Sequence, residues 1–253
     1  MRASLLPLFL LAVIGLFSCK KKTEEYSSAP LSDYIPLQVG RSITYRLDSV
    51  VFKNFGTVTE THSYQEKHVV DALLPDGLGR PSYRIFRYIR DTNGTQPWAP
   101  VGTYFITPLT NSTEVIENNL RFVKLTLPIV EEHTWKGNEF LPDDPYSPLY
   151  NFENDDEMSD WDYTYGELDE SISLNGKNID HVLTVNGINQ SDNVPVVNTT
   201  GYGSIDFMQD KYAKKIGLVY QRYIMWEYQP PNGINPVGSK NGFELTRSMI
   251  DHN

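Results

Sequence analysis

The chain of 253 residues has a single cysteine, Cys19, so no disulfide can form within it and its fold must be held by other means. It has no second long apolar run. Outside residues 5–17 nothing approaches the roughly 20 apolar residues that a membrane-crossing helix needs. Basic residues are scarce, with 22 Lys and Arg against 32 Asp and Glu and a formal net charge of −10. That balance excludes a surface of clustered cations of the kind nucleic-acid binding is built on. The compact signatures of catalysis are missing too. No two of His62, His68, His133, His181 and His252 stand in a His-Glu-x-x-His arrangement, and no Gly-x-Ser-x-Gly elbow occurs. Gly201-Tyr202-Gly203-Ser204 is not followed by the Gly-Lys-Ser/Thr ending of a phosphate loop. Finally, no long stretch sustains a 3.6-residue apolar period, which leaves little room for helix.

What is present begins with the lone thiol. Arg2 is followed by an apolar stretch from Leu5 to Phe17, too short to span a bilayer but suited to the apolar region of an export signal. Leu16-Phe17-Ser18-Cys19 resembles the bacterial lipobox, with an aliphatic residue three before the cysteine and a small one directly before it. The resemblance implies cleavage before Cys19, a diacylglycerol on its sulfur and acylation of the new amino terminus. Two or more chains anchor a protein stably where a single chain does not, at roughly 0.8 kcal/mol per buried methylene. The expected organisation is therefore a signal peptide over 1–18, a lipidated tether over 19–32 and one β-rich domain over 33–253. Lys20 to Lys22 can lie near anionic headgroups. Lys20 stands where enterobacterial retention at the inner membrane uses aspartate, so the expected location is the outer membrane, with the periplasmic or cell-surface face left open.

The remainder reads as strands. Ile43, Tyr45 and Leu47 alternate with Thr44, Arg46 and Asp48, and similar runs recur over Val58–Val70, Tyr83–Arg90, Trp98–Thr107, Thr113–Glu117 and Leu120–Leu127. Leu73 to Gly77, Asp91 to Gly94 and Asn118-Asn119 read as turns. Asn175-Gly176 is the clearest hairpin signal. Strands are expected over Asp162–Leu174, Asn178–Val185 and Phe243–Met249. Asn138 to Trp161, with Pro142, Pro145 and Pro148 among many acids, reads as a long exposed loop, and Ile188 to Gly203 as a second loop. A helical turn is expected at Met208 to Lys214 before a strand from Leu218. Aromatics make up 12% of the chain and suit half-buried pleated surfaces. Consecutive strands with short connections imply one antiparallel, strongly curved sheet, half-barrel or barrel-like.

Tyr34-Ile35-Pro36-Leu37-Gln38-Val39-Gly40, followed by Ile43-Thr44-Tyr45, is similar to the opening of uncharacterised envelope lipoproteins of the Bacteroidota. So is Tyr212-Ala213-Lys214-Lys215-Ile216-Gly217-Leu218-Val219-Tyr220 near the other end. The resemblance implies an envelope location and a β-rich fold, with these stretches as fold markers, and it carries over no catalytic residue. A looser likeness in shape points to curved-sheet lipid carriers of the envelope.

Two groups of residues invite a chemical reading. Asp155, Asp156, Glu157, Asp160 and Asp162 could give oxygen ligands to calcium, the one cofactor the sequence invites. The segment lacks the alternating spacing and turn glycine of a calcium loop, and a solvated acidic loop is the preferred reading. Tyr220, Tyr223, Trp226 and Tyr228 could stack sugars or hold an apolar molecule, while sheet packing explains them more simply. The functional expectation is a lipid-anchored envelope protein without catalysis that binds a ligand or a protein partner. The alternative is a surface glycan hydrolase using carboxylates that one-dimensional spacing cannot reveal.

Overall fold

The computed structural model describes residues 28–152, 154, 155, 157–233 and 235–253. It is 58% strand and 3% helix, which makes this an all-β protein. The strands are β1 (Ser42–Lys53), β2 (Val58–Pro75), β3 (Pro81–Asp91), β4 (Ala99–Pro108), β5 (Ser112–Glu117), β6 (Leu120–Thr126) and β7 (Thr134–Lys136). They continue with β8 (Asp162–Tyr165), β9 (Glu170–Leu174), β10 (Lys177–Asp192), β11 (Gly203–Ala213), β12 (Gly217–Gln229) and β13 (Ser239–His252). All belong to one antiparallel sheet in the order β6-β5-β4-β3-β2-β1-β13-β12-β11-β10-β8-β7, with β9 paired to β10. The strongly curved sheet expected from the pattern is the one observed.

The sheet is nearly closed into a barrel. Its outermost strands meet where Val123 N–H donates to the Gly137 carbonyl at 2.7 Å and Trp135 Nε1–H donates to the Val123 carbonyl at 2.8 Å. Closure occupies edge groups that would otherwise stand open to another chain. Tight hairpins set the register. Asn118-Asn119 and Asn175-Gly176 hold positive φ at both turn positions, the conformation that matches the twist of the flanking strands.

Residues 28–41 cross one end of the barrel. There Leu31 and Tyr34 are buried among Leu125, Tyr165, Leu183 and Tyr212. Residues 138–161 cover the opposite end, seating Tyr146 and Phe152 against Phe243. This second segment differs from the exposed loop expected of it. Leu141, Met158 and Asp155 are buried, and only part of its acidic surface faces water.

Other boundaries shift for physical reasons. The polar run from Ile188 is no loop until after Asp192, because its backbone pairs in register with β11 while its side chains face water. The expected helical turn at Met208–Lys214 is strand β11, whose inward Met208, Asp210 and Tyr212 alternate with outward Gln209 and Lys211. Leu73 to Pro75 extend β2 past a bulge near Asp71, leaving the turn to Asp76–Gly79. β7 is too short to show a pattern in sequence.

Candidate functional site

Successive inward positions on the central strands build the interior. From β2 come Glu66 and His68, from β3 Ile85 and Arg87, from β4 Tyr104 and Ile106, and from β13 Leu245 and Arg247. The sheet's own register places them side by side, since Glu66 pairs with Tyr45, His68 with Arg87 and Arg247 with Gln221. All of these but Glu66 line a cavity of about 410 Å³. This lies within the usual range for a small-molecule site. Most of its wall is apolar, including Ile43, Val70, Ile106, Val115, Phe122 and Leu245.

Through this apolar space runs a chain of buried charges. Arg247 Nε–H donates to Glu66 Oε2 at 2.6 Å, and its guanidinium also donates to Gln221 Oε1. Gln221 Nε2–H passes the chain to Asp210 at 2.8 Å, and Lys124 Nζ approaches the other Asp210 oxygen at 3.2 Å. Arg87 stands 2.6 Å from Glu117 and 4.0 Å from Glu66. Each of these three cations thus has a carboxylate, as burial of charge demands. Burial works against ionisation of Glu66, but the Arg247 guanidinium outweighs it and holds the carboxyl well below its ordinary range. Burial likewise opposes the charge on Lys124 and Arg247. Asp210 in one case and Glu66 in the other hold these groups above their ordinary values.

His68 is the looser member. Its Nδ1 meets the Tyr104 hydroxyl at 3.0 Å, while Nε2 lies 3.3 Å from Glu66 without the alignment of a hydrogen bond. Burial pushes its pKa down, more than Glu66 raises it, so the ring is neutral around pH 7. Arg87 Nε is also buried without a hydrogen-bond partner.

Both end segments contribute to the wall. Tyr146, Leu149 and Tyr150 line the cavity from residues 138–161, and the Tyr146 hydroxyl meets the Tyr223 hydroxyl at 3.0 Å. Leu149 is 71% exposed, so the cavity reaches water beside it. At the other end the lining is made by Ile35, Pro36 and Leu37 with Ile216, Gly217 and Leu218. The two stretches that resemble lipoprotein markers therefore meet in space. Lys215 N–H donates to the Asp33 carbonyl at 2.6 Å, and Arg41 donates to the Lys215 carbonyl at 2.6 Å. Gly217 is required there: at φ +115° it leaves the room that Ile43 Cδ1 and Pro36 Cδ occupy, 3.1 and 3.9 Å from where a Cβ would stand.

A second polar group lies under the opposite cap, away from the central network. Asp155, Asp206 and Glu227 are all buried. Asn154 Nδ2–H donates to Asp206 at 2.9 Å, Tyr202 O–H to Glu227 at 3.1 Å, and the Tyr146 N–H to Asp155 at 3.2 Å. Burial, with the negative charges of Asp155 and Glu227, pushes the Asp206 carboxyl up to about 7.

The aromatic group named from sequence is divided by the strand. Tyr223 faces the cavity. Trp226 and Tyr228 pack on the outer face with Ile224, Ile205 and Val196, where Trp226 donates to Glu244 and Tyr228 to the Thr199 carbonyl. Tyr220 is half-buried between Lys211 and Ser248 in the ladder. The acidic group is also scattered. Asp155 is inside, Glu157 and Asp160 are exposed, and Asp162 pairs with Lys136 at 2.9 Å. Asp156 and Cys19 lie outside the described residues. Among the described residues no three His, Cys, Asp or Glu side chains are grouped so as to hold a metal ion.

The interior residues Glu66, Arg87 and Arg247 escaped the sequence reading. Their only signal is the parity they share with Tyr64, Val70, Ile85 and Leu245, and charged residues on the outward parity of the same strands mask it.

No family model matches the chain, and no curated protein matches it. Among solved structures it is similar to a Bacteroides fragilis protein assigned as exported, with a YmcC-like fold, at 10% identity over 85% of this chain and 97% of that one, with a TM-score of 0.35. It is similar to LprF from Mycobacterium bovis at 10% identity, 86% and 89% coverage and a TM-score of 0.22. A third likeness, to a DUF1329 family protein from Desulfovibrio piger, has 12% identity, 90% and 93% coverage and a TM-score of 0.19. Likenesses this distant assign no activity.

Proposed function

We propose that this chain is a non-catalytic binding protein of the bacterial envelope, held at the outer membrane by acyl chains on Cys19 and carrying a lipid-like small molecule inside its barrel. The observation that carries the reading is the cavity of about 410 Å³, walled mostly by apolar side chains and bordered by two folded end segments. A protein with only structural work would close-pack such a space, because voids forfeit stabilising contacts. A largely apolar chamber with a way to water is instead what a carrier of apolar cargo needs.

The hydrolase alternative is less well supported by the carboxylates present. Glycoside hydrolysis needs one carboxyl kept protonated near neutral pH and a second one open to the sugar. Glu117 and Asp210 in the cavity wall, and Glu66 behind it, are each engaged by a cation and so are not free to meet a sugar. Asp206 has the raised pKa of an acid, yet its neighbours Asp155 and Glu227 are 1% and 2% exposed, beyond reach of a glycan.

The test is to purify the full-length protein from native membranes in mild detergent and weigh it intact by native mass spectrometry, with solvent extraction of any bound mass. An extracted apolar small molecule in near-stoichiometric amount is the expected result. An empty protein, or one accompanied only by other polypeptides, would overturn the reading.

A further inference from the structure

The charge inventory of the cavity says more about its occupant, given the carrier reading above. The lining includes four cations, Arg41, Arg87, Lys124 and Arg247. The last three are matched one to one by Glu117, Asp210 and Glu66. Arg41 differs. The residue is half-buried at the end framed by residues 35–37 and 216–218, and its guanidinium donates to a backbone carbonyl, that of Lys215. Among the described residues it makes no ion pair with a carboxylate. One positive charge of the lining is therefore unmatched, and it lies at the edge of the apolar space and outside the central network.

We propose that the cavity takes a singly anionic amphiphile of the fatty-acid class, whose acidic head meets Arg41 while its hydrocarbon tail runs inward along Ile43, Val70, Ile106 and Leu245. The head's charge completes the balance of the lining, and an arginine is suited to it because its planar fork can bind two oxygens of one head while keeping its bond to Lys215. A tail without polar groups has Ile43, Val70, Ile106 and Leu245 to lie along and leaves the paired charges undisturbed. A head driven deeper would have to compete with Glu117 and Glu66 for Arg87 and Arg247, at the expense of leaving one of those carboxylates buried and unpaired. The two stretches of chain that form this end, Tyr34–Gly40 and Tyr212–Tyr220, thereby take on a role in seating the ligand as well as in closing the fold.

The experiment compares hexadecanoate with hexadecan-1-ol on the delipidated full-length chain, by titration calorimetry below the critical micelle concentration. The wild type is expected to bind the acid at least about fivefold tighter than the alcohol, the ratio for roughly 1 kcal/mol from one half-exposed ion pair. Arg41→Gln should erase that preference by weakening the acid alone, and Arg41→Lys should restore most of it. The alcohol's affinity reports in the same titrations whether a variant still has its cavity. Equal binding of acid and alcohol, unaltered in Arg41→Gln, would overturn the anionic-head proposal and leave the apolar carrier reading standing. Failure of both probes to bind the wild type would overturn the two together.

Discussion

Arg247 on β13 reaches Glu66 on β2 across the intervening strand β1, with Nε 2.6 Å from Oε2 and 181 positions of chain between them. Both side chains are nearly buried, 12% and 4% exposed. A pair like this is better evidence of specificity than of stability, because desolvating two charges offsets most of their attraction. Its surroundings help it to exist, since Gln221 accepts from a further nitrogen of Arg247 and Arg87 lies 4.0 Å from the other oxygen of Glu66.

The first prediction follows from that asymmetry. Removing one charge strands the other, so Arg247→Met or Glu66→Gln should each lower unfolding stability by about 3–5 kcal/mol. The double variant should recover at least half of the sum. Urea denaturation followed by tryptophan fluorescence measures all three, and strictly additive losses would show that the two residues are not coupled.

Asp206 sets a pH dependence of opposite sign to that of Glu66. Its carboxyl rises from an ordinary 3.8 to about 7 in the folded protein, so the folded state binds this proton more tightly than the unfolded one does. The associated stability is complete below about pH 4 and is lost as pH climbs through 7. Glu66, with its pKa depressed from 4.5, contributes stability above that value and loses it on acidification. The urea midpoint should therefore be higher at pH 5.5 than at pH 8. Asp206→Asn, which can still accept from Asn154, should flatten that difference. A wild-type midpoint that rises from pH 5.5 to 8 would contradict the assignment.

How much of this could be read from the chain depends on which property each element uses. Strands such as β1 and β3 were legible because one face is apolar and the turns carry Asn or Gly at positive φ. The outer half of β10 was not, since Asn189, Gln190 and Ser191 look like loop residues and are strand only through pairing with β11. The site was hardly legible. Glu66 and Arg247 are remote in sequence, and nothing in their neighbourhoods distinguishes a charge that points inward from one that meets water. The YIPLQVG and YAKKIGLVY stretches stood out, but their meeting through Arg41 and Lys215 exists only once the barrel has closed.

Calcium should leave the protein unchanged. Asp155 is turned inward beneath the cap, accepting from the Tyr146 N–H, while Asp162 is engaged by Lys136 on the surface. A hard cation needs six to eight oxygens converging on one point. Millimolar calcium followed by a chelator should move the melting temperature by less than about 1 °C, since a ligand present far above its Kd would stabilise by several kcal/mol. A clear drop on chelation would show that the carboxylates gather around an ion.

The last prediction concerns Cys19, and its weight comes from where the tether arrives. Ser28 accepts the Ile129 N–H at 2.8 Å, fixing the start of the described chain beside the end of the barrel that Arg41 and residues 35–37 frame. Ser28 is nine chain steps from Cys19, and a fully extended chain reaches at most about 3.5 Å per step. An acylated Cys19 would thus hold that end of the cavity within roughly 30 Å of the bilayer, the source of any acyl-chain cargo. Cys19→Ser, expressed at the same level, should move from the membrane pellet to the soluble fraction and fail to incorporate labelled palmitate. Its purified barrel should keep the wild-type melting temperature, because the described core is packed by side chains from residue 29 onward. A Cys19→Ser protein that still sediments with membranes would leave the tether, and the orientation argued from it, without a basis.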